Sequence, residues 1–528
     1  MSTTSTDAAP TPPPAPASAA PRRWRGPEVT LPVGRQIWAW VILTVIAAIS
    51  AFALPALVAG GIMIGLGILI LVRRTLFSWP GALGLLIGVI LVIPVRQYAL
   101  PIPLPFALEA YRAVLAVLLL ALVLAFILDR TRTWQPIAFG WPIGIFFASL
   151  VISIPANGDA LVDQGLASTA VSSLVNYLIL FSVFFIVRQI VTTERMVNGV
   201  LVGLVWGGVV IALFAIVERA TRSNFFVRLH EFLPLQVLAE EPEAFRAGGY
   251  RSFASSQHPI ALSVMFCLMV ALAIYLAKFG LWPRNEINRR VVYGLATVVL
   301  LGGVLSAVSR TAVVVMAVMI LVTLIFRPWL GVTLISLSLP ALFIGLVALP
   351  RVFETMLLSF LDVDGLIASQ QTSPGWRGAG RLADLGPAME EFARFPFFGT
   401  GVGSRIVVGD EQNAFILDNQ VLGTLLETGV VGLLGLIALM VVPVILLLRW
   451  AFTVARNDPP YAMLAFTLAV AGAGYCASFF FFDAFGFYQT LFIWFIMLAL
   501  GAWLLTSSAP AIAAKRARAA VPAKALVG

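Results

Sequence analysis

Runs of about twenty mainly apolar residues, each long enough to cross the hydrocarbon core of a bilayer as a helix, recur along this chain between short polar breaks. In lipid every backbone N–H and C=O must be paired within the protein, which leaves helices or closed barrels as the only spanning forms. Runs of this length select the helix. Composition agrees: 60% of the 528 residues are hydrophobic and 11% charged, whereas about a quarter of residues in soluble domains are charged. The expected fold is an all-α, polytopic membrane helical bundle of about 14 spans.

Ile37–Val72 is a block of 36 residues without a charge, room for two short helices hinged near Pro55 or Gly60-Gly61. Further spans are expected near 79–95, 107–128, 137–154, 170–187, 197–217, 260–277, 291–308, 312–326, 330–349, 430–448, 461–482 and 487–505. Residues 1–36 form a Pro/Ala/Ser/Thr-rich stretch too poor in apolar content to fold alone, read as a disordered cytoplasmic tail. Residues 506–528 read as a basic cytoplasmic tail.

Basic residues near span ends set orientation. Arg73/Arg74, Arg130/Arg132, Arg188/Arg195, Lys278 through Arg289/Arg290, Arg327 and Arg449/Arg456 fall on one side if both termini are cytoplasmic. The two long loops, about 218–259 and 350–429, are then external. The net charge of +9 is mostly these loop arginines, and no nucleic-acid module is present. Cys267 and Cys476 lie inside expected spans, which argues against a disulfide framework or thiol metal site.

Charge inside such a scaffold is costly and belongs where water, substrate or protein satisfies it. Arg351 to Glu427 is the longest polar interruption. Within it, Leu382, Leu385, Met389 and Phe392 form one apolar helical stripe that ends at Phe395-Pro396, for a helix lying on the membrane surface or on the bundle. Its carboxylates Asp384, Glu390 and Glu391 read as solvent-facing. Gly399-Thr400-Gly401-Val402-Gly403 follows without a preceding strand or a Lys-Ser/Thr pair, so it reads as a tight turn and not a nucleotide loop.

Four positions are candidates for chemistry. Arg251 stands about nine residues before the next span and has two readings, a group within reach of an anionic headgroup or a solvated loop charge. Arg310, in Ser309-Arg310-Thr311, is an isolated guanidinium between two apolar runs, a placement that points to an anion or a polar partner. His258, followed by Pro259, has two readings: a proton shuttle, or a cap on the next helix. Asp418, before Asn419, likewise reads as the N-cap of the following helix or as a carboxylate able to take a proton from an incoming hydroxyl. No zinc-ligand pattern accompanies either histidine.

In order, Arg251 and Phe253, His258-Pro259, Ser309-Arg310, Arg381, the Pro396–Gly403 turn, and Asp418-Asn419 with Leu422, Leu426-Glu427, Gly429 and Gly432 resemble the O-antigen ligase and polymerase family. The resemblance covers about 250–435. It implies a GT-C-like membrane glycosyltransferase domain over 37–505 in the bacterial cytoplasmic membrane, with an active site on its external face. The implied reaction is inverting and needs neither metal nor cofactor. A glycan passes from a polyprenyl-pyrophosphate-linked donor to a hydroxyl acceptor carried on a glycan or lipid-glycan.

Arginines suit that leaving group because planar guanidiniums bind phosphate oxygens in pairs. Arg251, Arg310 and Arg381 are the expected pyrophosphate clamp and Asp418 the catalytic group, with His258, Asn419 and Glu427 in support. Family ligases commonly carry a histidine where this chain has Asp418, which leaves ligase and polymerase both open. A transporter or flippase of lipid-linked glycan is the competing class; it is expected to show internally repeated halves, and no clear repeat is present.

Overall fold

The apolar runs after residue 78 fold as helices, as expected. The computed structural model describes residue 45 and residues 78–508, except 103–105, 130, 240–244, 247–248, 358–361, 363, 365–384 and 406–418. Helices α1 (Trp79–Val92), α2 (Ala110–Leu128), α3 (Gly140–Ala156), α4 (Ala167–Ile190) and α5 (Glu194–Thr221) come first. Then follow α6 (Pro259–Phe279), α7 (Glu286–Ala307), α8 (Arg310–Phe326) and α9 (Pro328–Ala348). A short α10 (Leu385–Arg394) precedes α11 (Gln420–Phe452), α12 (Pro459–Ser478) and α13 (Tyr488–Ser507).

Among the described residues nine helices are long and apolar enough to cross a membrane, and α1, α3 and α8 are shorter apolar helices. Every span expected after residue 78 coincides with one of these. The expected pair within 37–72 lies outside the described residues. Among the described residues, strand structure is confined to two two-residue ladders, Tyr98–Ala99 with Gln236–Val237 and Phe245–Arg246 with Gly249–Tyr250. The chain is an all-α polytopic membrane protein.

Burial sorts the helices into an inner and an outer set. The apolar window of α6 is 89% buried and those of α12 and α13 are 83% buried, against 22% for α2 and 13% for α9. Lipid tails are as apolar as leucine, so helices associate through close packing, which small residues permit. Gly303 on α7 shows this: a methyl there would stand 2.7 Å from Phe266 of α6 and 2.8 Å from Ala212 of α5.

Side-chain contacts sort the helix ends into two groups. At one end, the fully buried Arg188 donates to the Pro136 carbonyl at 2.9 Å and to the hydroxyls of Thr506 and Ser507 at 2.8 Å each. Tyr461 donates to Glu194 at 3.0 Å, and Arg327 lies 5.2 Å from the ring centroids of both Phe452 and Phe466. This end collects Arg132, Arg188, Lys278, Arg289 and Arg327, the side that the loop-charge rule assigns to the cytoplasm. The other end gathers the loops that hold the remaining chemistry.

Candidate functional site

Two boundary differences shape this second end. The α5 helix continues to Thr221, so Glu218 and Arg219 sit in its last turns and do not open the loop. The polar helix start expected to precede a span at 430 is itself helical from Gln420, so Glu427 belongs to α11.

Glu218 is 2% exposed, and its carboxylate organises the strap that leads to α6. It accepts from the Tyr250 hydroxyl at 3.0 Å, the Phe253 amide at 3.1 Å and the Ala254 amide at 2.8 Å. Arg219 completes the clasp by donating to the Tyr250 carbonyl at 2.5 Å. Held this way, the 9%-exposed Arg251 donates from Nε to the Ala307 carbonyl at 3.3 Å, and the Ser252 amide to the Ser306 carbonyl at 3.2 Å. Arg251 is thus fixed to the end of α7, three residues before Arg310.

The turn from α7 into α8 is tight, with Val308 at φ 45°. Ser309 occupies the N-cap of α8 without capping it through its side chain. The residue is 1% exposed, and its hydroxyl has no hydrogen-bond partner among the described residues. Arg310 follows as the first residue of the helix, half-buried. A guanidinium-bearing residue, a buried hydroxyl and the positive end of a helix dipole therefore adjoin in sequence at the start of α8, a combination suited to oxyanions.

A break in α11 places the third element. Gly429 adopts φ 66° and ψ −163° inside the helix, which interrupts its hydrogen-bond ladder. The Pro396–Gly403 segment repairs the break backbone to backbone. Thr400 and Gly401 amides donate to the Leu426 and Glu427 carbonyls at 2.9 and 3.0 Å, while Val430 and Val431 amides donate to the Pro396 and Phe397 carbonyls at 2.9 and 3.3 Å. The expected tight turn is present, with Gly399, Gly401 and Gly403 all at positive φ, and its work is to satisfy a broken membrane helix. The Glu427 carboxylate meets the Gly403 amide, with the Arg405 guanidinium and Asp483 also in its field.

The amphipathic segment is helical as expected and its stripe is split: Phe392 packs inward, Leu385 and Met389 are exposed, and Leu382 lies outside the described residues. Helix α10 packs Ala388 and Phe392 against Leu422 and Leu426, whereas Leu385 and Met389 are 49% and 50% exposed. Close approach to α11 selects the small Ala388 for the contact face, so the bulkier residues turn outward. Glu391, expected in solvent, instead pairs with Arg405 Nη1 at 2.9 Å through both carboxylate oxygens.

Sequence reasoning missed a third polar group. Glu109, 5% exposed, accepts from the Arg96 amide at 2.5 Å and pairs with Arg112 at 3.4 Å. Burial pushes its carboxyl above the ordinary carboxylate range, against the pull of the Arg96 amide and of both guanidiniums. Tyr488 accepts from Arg96 Nη2 at 2.8 Å and from Asn176 Nδ2 at 2.5 Å, and its own amide donates to Gln257 at 3.0 Å. Beneath it, Phe146, Phe181, Phe485 and Phe495 pack ring to ring. Only the separate facts of a loop arginine and a span-end tyrosine were visible in sequence.

The expected site residues divide accordingly. Arg251 docks on the Ala307 carbonyl at the end of α7, and Arg310 begins α8 three residues later. His258 is the N-cap of α6, its Nδ1 accepting from the Ile260 amide at 3.1 Å, which places the neutral ring's proton on Nε2. The ring stands 5.5 Å from Phe487, beside Tyr488. Asn419 caps α11 by accepting from the Leu422 amide at 3.1 Å, so the capping reading considered for Asp418 falls one residue later. Asp418 and Arg381 lie outside the described residues.

These features define a class: a polytopic helical membrane protein that gathers arginines, amides and carboxylates at one end of its bundle. Residues 295–437 match the family model described as O-antigen ligase. The match supports an O-antigen ligase or polymerase type of family, active in surface polysaccharide assembly. It spans Arg310, Arg381, Asp418, Asn419 and Glu427, while Arg251 and His258 precede it. No curated protein matches the chain.

Proposed function

We propose that the protein is an inverting, metal-independent glycosyltransferase of the bacterial cytoplasmic membrane. It moves a glycan from a polyprenyl-pyrophosphate donor to a hydroxyl acceptor at the external face, in polymerisation or ligation of a surface polysaccharide. The observation that supports this reading is the docking of Arg251 on the Ala307 carbonyl, three residues before Arg310, beside a buried Ser309 hydroxyl with no hydrogen-bond partner among the described residues. Such donors stabilise the charge that grows on pyrophosphate as the glycosidic bond breaks.

In this reading Arg381 completes the clamp. The acceptor oxygen attacks the anomeric carbon from the face opposite the pyrophosphate, its proton passes to the Asp418 carboxylate, and the C–O bond to the leaving phosphate breaks. The helix-capping role of Asn419 supports Asp418 as the acid/base, because the first free amides of α11 already have a side-chain partner. His258 and Glu427 act as positioning groups, since the first is engaged as a cap and the second meets a backbone amide.

The test is to incubate purified protein with a polyprenyl-pyrophosphate glycan and candidate acceptors, and to follow transferred sugar and released lipid pyrophosphate. Transfer with release is expected. Movement of intact donor across vesicles without release would overturn the reading in favour of a flippase.

A further inference from the structure

The Arg96 group is unused by the clamp, yet it is built like a recognition site. Arg96 adopts φ 63°, a left-handed conformation that a side chain of its size rarely takes and that persists only where surroundings hold it. Two contacts hold it. The amide is fixed on the buried Glu109 carboxylate at 2.5 Å, and the guanidinium rests 4.4 Å from the Tyr488 ring centroid while Nη2 donates to Tyr488 Oη at 2.8 Å.

The side chain is nevertheless exposed, and that is its one side-chain hydrogen bond among the described residues. Charge also remains uncompensated. Glu109 forms its ion pair with Arg112, whose Nε also donates to Tyr111 at 2.9 Å, and Arg96 makes no ion pair among the described residues. Two guanidiniums thus surround one carboxylate. The neighbouring Asn176, Tyr488 and Gln257 supply the amide and aromatic groups that commonly meet sugars.

We propose that Arg96, oriented by Tyr488 and Glu109, is a second oxyanion subsite that binds a phosphate or carboxylate of the glycan donor, apart from the Arg251–Arg310 clamp. This rests on the glycan-transfer reading above. The oxyanion has two chemical sources, the pyrophosphate itself or a uronate in the transferred glycan. Both present paired oxygens to a planar guanidinium.

The experiment measures turnover by wild-type, Arg96→Ala, Arg96→Lys and Tyr488→Phe proteins in nanodiscs, with donors bearing a neutral or a uronate-containing glycan. Arg96→Ala is expected to raise the donor KM about 10- to 100-fold with kcat nearly unchanged, as for loss of one charge-assisted hydrogen bond. Arg96→Lys should recover part of the loss, and Tyr488→Phe should raise KM less. A KM effect with both donors identifies the pyrophosphate as the ligand, and an effect confined to the uronate donor identifies the carboxylate.

A merely structural clamp between the Arg96 loop and α13 would lower Tm and leave KM unchanged for both donors. That result overturns the proposal. Inactive wild-type protein would instead refute glycan transfer, and the subsite would then be decided by ligand-induced Tm shifts. Inorganic pyrophosphate or glucuronate should stabilise wild-type protein more than Arg96→Ala, and equal shifts, or none in wild type, would overturn it.

Discussion

Gly399 and Gly429 stand back to back across the break in α11, each so close to the other's segment that a methyl group on either would overlap backbone atoms. Both residues have positive φ, at 62° and 66°. Backbone in lipid tolerates a break only where its freed groups are paired again, and the Pro396–Gly403 segment pairs them.

Gly429→Ala should therefore destabilise the protein by at least about 1–3 kcal/mol through its strained φ alone, and by more once the overlap is counted. Thermal unfolding in detergent measures this. A wild-type Tm would mean that the two segments do not pack as described.

Arg310→Ala and Asp418→Ala should each reduce transfer by about 100-fold or more, the usual effect of removing a group that stabilises transition-state charge or moves its proton. Both variants should remain expressed and folded in membranes. Near-normal product formation from both would refute the site assignment.

Glu218→Ala removes one acceptor from three donors, the Tyr250 hydroxyl and the Phe253 and Ala254 amides. Buried donors left unpaired cost about 1–3 kcal/mol each. The variant should lose stability, and also transfer, because the strap that fixes Arg251 loosens. Retained Tm with retained turnover would show that the strap does not depend on this carboxylate.

Arg188→Ala provides the contrasting case at the opposite end. It deletes donors to Pro136, Thr506 and Ser507 and leaves a cavity, for an expected loss of about 2–5 kcal/mol. Donor KM should stay at the wild-type value in the protein that remains folded, measured by activity per folded molecule.

Glu109 sets a pH dependence. Burial raises its carboxyl pKa in the folded protein above the unfolded value, so the folded state holds the proton more tightly. Its contribution is fully present below the ordinary carboxylate pKa and is lost as pH rises through the raised folded value. Tm should fall over that window in wild-type protein and fall less in Glu109→Gln. Identical slopes would refute the assignment.

Much of the architecture was legible because membrane insertion reads local composition: a twenty-residue apolar run becomes a helix almost whatever surrounds it. Isolated arginines beside such runs, Arg251 and Arg310, were legible for the same reason, since charge next to lipid demands an explanation. The break at Gly429 was hidden, because its repair is made by backbone groups some thirty residues earlier, and backbone pairing leaves little trace in side-chain type. Arg96 was hidden more deeply: its partner Tyr488 is 392 positions away, and neither residue is unusual in its own neighbourhood.

By itself, then, the amino-acid order determined the helical membrane class, the positions of the spans after residue 78 and which loops carry the basic residues, all of which depend on short stretches of chain in contact with lipid. Only the tertiary structure decided which polar residues share one end of the bundle. Arg251 meets the turn before Arg310 because Glu218 bends the strap across α5 and α7, and Arg96 meets Tyr488 because α2, α4 and α13 bring their ends together. Those meetings depend on helix packing among distant segments, and local hydropathy carries no record of them.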